Sequence, residues 1–170
     1  MKKLLILGCT GSIGTSALNI AREFPTRFKV VGLTAHHSKE KLQELSKEFD
    51  DVPVCLTGEE PPEALEQLIA TCGADIAVNG IAGSPGLMPS VYVLQAGMDL
   101  ALANKETIVM AGPIVAQLAQ KHGCKILPVD SEHSAVFTLV EKFGSDAIKE
   151  IVLTASGGPF REKNEKNYLL

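Results

Sequence analysis

Two carboxylates with one hydroxyl between them, Asp130, Ser131 and Glu132, follow an apolar run that ends at Pro128. In open α/β sheets, ligands bind beyond the carboxyl ends of the strands. Hard oxygen donors at such a position suit a divalent cation such as Mg²⁺ or Mn²⁺. The spacing therefore indicates metal binding by Asp130 and Glu132. The competing interpretation is a pair of acids that stabilise the first turn of a helix.

The chain opens with a glycine-rich segment suited to binding phosphate. Residues 8–14 place Gly8, Gly11 and Gly14 after a short apolar strand and at the start of a helix. These glycines permit a tight turn, a close backbone approach to a pyrophosphate, and close packing of the helix on the sheet. The free N–H groups of the helix start attract the anion, and Thr10 and Ser12 can donate hydroxyls to it. The pattern predicts a dinucleotide site, and a glycine-rich turn without a ligand is the alternative.

The end of the second predicted strand bears on which dinucleotide binds. An NAD site usually places Asp or Glu there to accept a hydrogen bond from the ribose 2′-hydroxyl. Residues 34–39 contain no acid. Small, hydroxyl-bearing and basic groups suit a 2′-phosphate instead, so the segment favours NADP. The alternative is that His36 and His37 are exposed loop histidines without a ligand.

These residues need a scaffold that brings strand ends together. Short apolar runs alternate with segments of helical period, which predicts an α/β fold with a Rossmann-like doubly wound, mostly parallel sheet. Pro53 favours an edge position for its strand, Ser38 is a candidate N-cap, and a helix kink is expected near Gly112 and Pro113. The predicted strands are Lys3 to Leu7, Phe28 to Leu33, Val52 to Leu56, Asp75 to Val78, Asp99 to Ala103, Lys125 to Pro128 and Glu150 to Thr154. The predicted helices are Ser12 to Phe24, Ser38 to Phe49, Pro61 to Thr71, Leu87 to Ala96, Lys105 to His122 and Ser131 to Phe143, with a glycine-rich turn from Gly80 to Gly86.

Composition and length limit the classes of protein to which the chain can belong. The chain has 170 residues and a net charge of −4, which argues against binding to the phosphate backbone of nucleic acid. No run approaches the roughly 20 apolar residues of a membrane span. The four cysteines form no CxxC pair, which is typical of buried thiols in a reducing cytosol.

We expect a domain boundary near Pro128. Residues 1–128 would form an NADPH-binding Rossmann-like domain. Residues 129–170 would begin an α/β catalytic domain that holds metal and substrate. A charged tail runs to Leu170 without a closing element, so we expect the chain to be truncated within that second domain.

Three further motifs give the chain a family resemblance. They are Leu-Ala-Asn-Lys-Glu at 102–106, Pro-Val-Asp-Ser-Glu-His-Ser at 128–134 and Leu-Thr-Ala-Ser-Gly-Gly-Pro-Phe-Arg at 153–161. With the opening glycine segment, the whole chain resembles 1-deoxy-D-xylulose 5-phosphate reductoisomerase, the NADPH- and metal-dependent enzyme of non-mevalonate isoprenoid synthesis. The resemblance implies isomerisation and reduction of 1-deoxy-D-xylulose 5-phosphate to 2-C-methyl-D-erythritol 4-phosphate. The alternatives are another NADP-dependent oxidoreductase, of the semialdehyde or homoserine dehydrogenase kind, and a non-catalytic nucleotide-sensing Rossmann module.

The resemblance also implies a role for each motif residue. Lys105 and Glu132 would be catalytic, with Lys105 stabilising negative charge on a substrate oxygen. Asp130 and Glu132 would bind the metal. The substrate would contact Lys105, Ser131, Glu132 and Ser156. The cofactor would contact Gly8, Thr10, Gly11, Ser12, Ile13, Gly14, Ala35, His36, His37, Ser38, Asn104 and Glu106.

The same resemblance sets expectations for ligands and assembly. The cofactors would be NADPH and Mg²⁺ or Mn²⁺, and the partner would be a small sugar phosphate, with no nucleic acid and no membrane. The full-length enzyme would be a cytoplasmic homodimer, or would lie in a plastid-type organelle in a eukaryote. We expect the 170 residues alone to bind cofactor without catalysing the reaction.

Overall fold

Strands and helices alternate in the computed structural model, which describes residues 1–152. The strands are β1 (Lys2–Leu7), β2 (Phe28–Ala35), β3 (Val54–Leu56), β4 (Ile76–Asn79), β5 (Asp99–Leu102) and β6 (Ile126–Pro128). The helices are α1 (Ser12–Glu23), α2 (Lys39–Glu48), α3 (Pro62–Thr71), α4 (Leu87–Gln95), α5 (Lys105–His122) and α6 (Ser131–Phe143). Short 3₁₀ turns occur at Ser84–Gly86 and Ser145–Ala147. The chain divides into two compact units, Met1–Ser134 and Ala135–Leu170.

The first unit is a six-stranded sheet in the order β3-β2-β1-β4-β5-β6. Every neighbouring pair of strands is parallel. After β3 the chain crosses back to place β4 beside β1, so the strand order reverses between those two strands. In a doubly wound sheet this reversal creates the crevice in which ligands bind. The predicted Rossmann-like fold is confirmed.

Each face of the sheet carries its own core, and β1 contributes to both. Leu4 and Ile6 pack on one face among side chains of α1, α2 and β2. Leu5 and Leu7 pack on the other face among side chains of α3, α4 and α5. Side chains alternate between the faces of a strand, so an unbroken apolar run is what a doubly covered central strand requires.

Most predicted elements are present, with ends that differ by one or two residues. α5 is kinked where expected, at Ala111, whose φ of −146° is not helical. β3 lies at the sheet edge, as Pro53 indicated. Ser38 occupies the N-cap position of α2 but makes no side-chain capping hydrogen bond.

The predicted strand from Glu150 to Thr154 is wrong for the residues that can be assessed. Glu150, Ile151 and Val152 have no regular secondary structure, and Val152 is 74% exposed. The last two residues of that prediction lie outside the described residues. An apolar run forms a strand only where a neighbouring strand accepts its hydrogen bonds, and local sequence cannot show whether one is present.

The second unit is described from Ala135 to Val152. It contains the rest of α6, which begins in the first unit, and the 3₁₀ turn. A groove of about 740 Å³ is lined mainly by apolar side chains, including Leu139, Phe143 and Ile151. The predicted boundary at residues 128/129 lies near the end of the first unit, and the division of roles between domains stays a prediction. Within residues 1–152, no helix has both the length and the apolar character needed to cross a bilayer.

Candidate functional site

The carboxyl ends of the parallel strands meet along one edge of the sheet, and the predicted site residues within residues 1–152 lie there. The segment Ala35 to Ser38 follows β2, and residues 8–14, here called the glycine loop, follow β1. Asn104 to Glu106 follow β5, and Asp130 to Glu132 follow β6. The order of strands therefore arranges these groups in a row, with the Ala35 to Ser38 segment at one end, the glycine loop beside it and the two acids at the other end.

In the glycine loop, the start of α1 packs closely against the backbone that follows β1. Gly8 has a φ of +78°, a conformation that L side chains rarely adopt. A Cβ on Gly14 would lie 2.3 Å from the carbonyl oxygen of Gly8 and 2.6 Å from the Cα of Cys9. Gly11 is the N-cap of α1 and has no side chain to cap the first amides. The start of α1 therefore has the geometry of an anion site.

Thr34, at the end of β2, fixes the glycine loop and was not identified from the sequence. Its hydroxyl accepts a hydrogen bond from the Gly8 N–H at 3.0 Å, and its carbonyl accepts one from the Cys9 N–H at 2.8 Å. Thr34 is 1% exposed. Burial also raises the pKa of the Cys9 thiol to about 11. A hydroxyl that ends an apolar strand is the sequence signal that could have identified Thr34.

The predicted adenosine end lies where β2 and β3 finish. The carbonyl of Ala35 accepts the Thr57 N–H at 2.9 Å, and Nδ1 of His36 lies 3.1 Å from Oγ1 of Thr57. His36 and His37 are exposed, with ring centroids 4.0 Å apart. A Cβ on Gly58 would lie 2.2 Å from the His36 carbonyl oxygen, so the two strand ends are tightly joined. Both interpretations of the histidines remain compatible with this arrangement.

Acidic groups reach this region from the segment after β3. Lys39 forms an ion pair with Glu59 at 2.7 Å, and this contact raises the pKa of Lys39. Glu60 lines the neighbouring cavity, and its carboxylate accepts the Leu56 N–H at 2.6 Å. Glu60 follows β3 and not β2, so the absence of an acid in residues 34–39 does not leave this region without acids.

A cavity of about 670 Å³ opens between the glycine loop and the surrounding strand ends. Its lining includes Gly8, Thr34 and Ala35, together with Met88 and Tyr92 of α4. Cavities of roughly 300–1,000 Å³ with mainly apolar walls are typical of ligand sites. The cavity thus combines an anion-attracting helix start with apolar surface suited to a nucleobase.

Asn104 is the N-cap of α5, and its side chain is fully used inside the protein. Its Oδ1 accepts hydrogen bonds from both the backbone N–H and the hydroxyl of Thr107, each at 2.7 Å. Its Nδ2 donates to the carbonyls of Ile81 and Gly83 at 2.6 and 2.7 Å. An asparagine side chain has two donor hydrogens and an oxygen with two lone pairs. The contact of Asn104 with a cofactor stays a prediction, and its side chain is already occupied within the protein. Glu106 is exposed in the first turn of α5.

Lys105 and Asp130 come together from the ends of β5 and β6. Lys105 Nζ lies 3.5 Å from Asp130 Oδ2, and the Lys105 side chain is 64% exposed. The hydroxyl of Ser131 donates to Glu132 Oε2 at 3.1 Å. Asp130 is partly buried, which raises the pKa of its carboxyl. The His133 N–H, the Glu132 carboxyl and the charges of His133 and Lys105 outweigh this effect and hold the pKa of Asp130 below its ordinary value.

The donor chemistry at the end of β6 fits a hard divalent cation, because two carboxylates and a hydroxyl lie within three consecutive residues. Among residues 1–152, no cluster of three or more His, Cys, Asp or Glu side chains is placed to hold a metal. Asp130 is balanced by Lys105 instead. Ser156, predicted to contact the substrate, lies outside the described residues.

Family models match nearly the whole chain. The model of 1-deoxy-D-xylulose 5-phosphate reductoisomerase matches residues 4–71 and 60–112, and the model of the reductoisomerase C-terminal domain matches residues 126–169. The reductoisomerase of Treponema pallidum is 43% identical over 165 residues, covering 95% of this chain and 44% of the relative. That of Treponema denticola is 46% identical over 167 residues, covering 94% of this chain and 44% of the relative. The chain thus spans less than half the length of these relatives.

Solved structures agree with this grouping. A reductoisomerase in complex with magnesium is 34% identical with a TM-score of 0.81, covering 98% of this chain and 49% of that one. The reductoisomerase of Zymomonas mobilis in complex with NADPH is 31% identical with a TM-score of 0.83, covering 96% of this chain and 48% of that one. A homoserine dehydrogenase from Thiobacillus denitrificans is 18% identical with a TM-score of 0.56, covering 77% of this chain and 29% of that one. This likeness shows a shared fold alone.

Proposed function

The chain belongs to the 1-deoxy-D-xylulose 5-phosphate reductoisomerase family, and from this we propose that it binds NADPH and contributes to the metal-dependent isomerisation and reduction of 1-deoxy-D-xylulose 5-phosphate to 2-C-methyl-D-erythritol 4-phosphate. One observation carries the proposal. A glycine-lined anion site and the Lys105–Asp130 pair lie along the same edge of one sheet. This places groups suited to a dinucleotide and to an anionic, metal-chelating substrate on one surface.

The glycine loop and the start of α1 would bind the pyrophosphate of NADPH. Thr10 and Ser12 offer hydroxyls, and the amides of Gly11, Ile13 and Gly14 belong to the helix start that attracts anions. Ala35, His36, His37 and Ser38 would contact the adenosine end, and Asn104 and Glu106 would lie beside the cofactor at β5. NADPH supplies the hydride for the reductive step.

Asp130 and Glu132 would hold Mg²⁺ or Mn²⁺, which supplies Lewis acidity towards the oxygens of the substrate. Lys105 is exposed and within reach of Asp130, so its ammonium group can stabilise negative charge that develops on a substrate oxygen. Ser131 and Glu132 would orient the substrate, and Ser156 would contact it. Lys105 pairs with Asp130 at 3.5 Å, so its ammonium group would be free to contact the substrate when Asp130 holds the cation.

The same proposal extends to domain roles, cellular location and oligomeric state. Residues 1–128 form the NADPH-binding domain, and residues 129–170 begin the part that holds metal and substrate. The protein acts as a homodimer in the cytoplasm, with Mn²⁺ as an alternative metal. The unpaired state of Cys9, Cys55, Cys72 and Cys124 supports a reducing compartment, and the dimer rests on the family resemblance.

Titration of the chain with NADPH and NADH by calorimetry tests the cofactor assignment. We expect tighter binding of NADPH, because the segment after β2 lacks an acid and offers two histidines beside the cavity wall. Equal affinities, or tighter binding of NADH, would contradict it.

The metal assignment is tested by calorimetric titration of the NADPH-loaded chain with 1-deoxy-D-xylulose 5-phosphate, with and without Mg²⁺. We expect binding that depends on Mg²⁺ and is lost in Asp130→Asn. An oxidoreductase of the homoserine dehydrogenase kind would bind its substrate without regard to Asp130. Metal-independent binding of the sugar phosphate would therefore contradict the proposed function.

A further inference from the structure

We propose that Asn79 and Asn104 are a pair of positioning residues, here called the clamp, that hold the loop after β4 in place. This loop, residues 80–86 and here called the β4 loop, forms one wall of the 670 Å³ cavity beside the glycine loop, here called the cofactor cavity. Asn79 is the last residue of β4 and Asn104 follows β5, so the two side chains approach the β4 loop from neighbouring strands. The inference rests on the proposed function in one respect, namely that the cavity binds NADPH.

Asn79 grips both ends of the β4 loop. Its Oδ1 accepts the Ile81 N–H at 3.1 Å, and its Nδ2 donates to the Gly86 carbonyl at 2.9 Å. The same Nδ2 donates to the hydroxyl of Ser90 at 2.8 Å, and that hydroxyl donates to the Gly86 carbonyl at 2.9 Å. Asn79 and Ser90 are fully buried. A buried polar network of this kind is fully bonded only when the loop has this conformation.

Asn104 holds the middle of the β4 loop. Its Nδ2 donates to the carbonyls of Ile81 and Gly83, while its Oδ1 caps α5 through Thr107. Ile81 is thus bonded through its N–H by Asn79 and through its carbonyl by Asn104. One side chain joins the loop to a helix cap, and the other joins it to a strand, so the loop has little freedom to move independently of the sheet.

The β4 loop transmits its position to the cofactor cavity by direct contact. Gly80, Ile81, Ala82 and Pro85 line the cavity. A Cβ on Gly80 would lie 3.1 Å from Cβ of Ile13, and a Cβ on Gly8 would lie 3.3 Å from the carbonyl carbon of Gly80. The β4 loop therefore packs against the glycine loop itself, and a shift in one displaces the other.

Gly86 shows how closely the clamp fits. Its φ of −74° is open to any residue, so its backbone conformation does not require glycine. A Cβ there would lie 2.5 Å from Nδ2 of Asn104 and 3.0 Å from the Ile81 carbonyl oxygen. Glycine is required because the amide of Asn104 fills the space, which makes Gly86→Ala an independent way to displace the clamp.

Removing the amide of Asn104 leaves the Ile81 and Gly83 carbonyls without their donors. The loop then exchanges its bonded conformation for others in which these groups reach water. Apparent affinity falls in proportion to the fraction of molecules whose loop remains in the binding conformation. A fraction of about one tenth corresponds to roughly ten-fold weaker NADPH binding.

The experiment separates the clamp from the helix cap with two substitutions at one position. Serine is a good N-cap and alanine is a poor one. The serine hydroxyl is one bond shorter than the Asn104 amide and has one donor hydrogen where the amide has two, so neither residue can replace the two bonds to the loop carbonyls. We expect Asn104→Ser and Asn104→Ala to weaken NADPH binding by the same factor, about ten-fold, although only Asn104→Ala also loses the cap and melts at a lower temperature than Asn104→Ser. Hydrogen exchange of the chain without cofactor should show faster exchange of the Ile81 and Gly86 amides in both variants, and of the Thr107 amide in Asn104→Ala alone.

Gly86→Ala should weaken NADPH binding to a similar extent, and Gly112→Ala is its matched control, because a Cβ on Gly112 meets only an ordinary contact of 3.4 Å with Ile108. Wild-type affinity in Asn104→Ser, or affinity losses that follow the melting temperatures, would overturn the inference. Unchanged exchange of the Ile81 amide would overturn the clamp even if the wild type binds NADPH. A wild-type chain that fails to bind NADPH would instead refute the proposed function and, with it, the role of the clamp in cofactor binding.

Discussion

The glycine loop and the end of β6 are constructed in opposite ways. Around the glycine loop, Thr34, Asn79 and Asn104 are at most 3% exposed, and their side chains make hydrogen bonds within the protein. At the end of β6, Ser131 and Glu132 are exposed, and Asp130 has a loose ion pair with Lys105. The first region is shaped before a ligand arrives, whereas the second keeps charged groups available for a ligand to organise. Substitutions should therefore act through packing in the first region and through charge in the second.

Gly14→Ala should have the largest effect, because the added Cβ would meet backbone atoms that cannot move aside. We expect a loss of roughly 3 kcal/mol in the free energy of unfolding and loss of measurable NADPH binding. Urea denaturation and NADPH fluorescence titration measure the two effects. Gly112→Ala, whose Cβ would meet only an ordinary contact with Ile108, should change neither by much. A stable Gly14→Ala that binds NADPH would show that the glycine loop is not rigid.

Asp130→Asn should show the opposite pattern. We expect Mg²⁺ affinity to fall by about ten-fold or more, because affinity for hard cations follows the charge of the ligand set. NADPH affinity and the unfolding midpoint should stay close to wild type, because Asp130 lies outside the bonded network of the glycine loop. Calorimetric titrations with Mg²⁺ and NADPH test both statements. The exposed Glu23→Gln variant is the control, and a matching loss in that variant would point to net charge rather than to a site.

Thr34→Val keeps the shape of the side chain but leaves the Gly8 N–H without its acceptor. An unsatisfied buried donor costs about 1–2 kcal/mol, so we expect a loss of that size in stability and several-fold weaker NADPH binding. Thr71→Val is the matched control, because the Thr71 hydroxyl donates to the Gln67 carbonyl at an exposed helix end. Equal losses in both variants would contradict a special role for Thr34.

The smallest effect is expected for Lys105→Met. Removal of the ammonium group should raise the pKa of Asp130 slightly, because Lys105 is the last of several groups that lower it. A carboxyl whose pKa is depressed by folding contributes stability above its unfolded pKa, and this contribution is lost as pH falls through its folded pKa. Carbon-13 titration of Asp130 in the two proteins measures the difference. An unchanged pKa on substitution would show that the ion pair of Lys105 and Asp130 does not form in solution.

The sequence predicted the parts of the site that depend on local pattern. Short-range rules predict the glycine spacing, the apolar run of β1 and the position of Asp130 beyond a strand. The fold and the placement of these residues at the carboxyl ends of strands were therefore predicted correctly. Thr34, Asn79 and Glu60 were not identified, because their significance lies in contacts with residues distant in sequence. The side chain of Asn104 shows the same limit: its motif was recognised, but its hydrogen bonds to the β4 loop depend on the pairing of β4 with β5.

The buried thiol of Cys9 within the glycine loop makes this region measurable by chemical kinetics. Cys9 is fully buried, and burial raises its pKa to about 11, so it reacts slowly with alkylating agents while the loop is closed. Its alkylation rate is then set by how often the loop opens, in the same way that amide exchange reports local unfolding. Alkylation of this native cysteine therefore measures the opening of the glycine loop without an engineered thiol and without a bound cofactor.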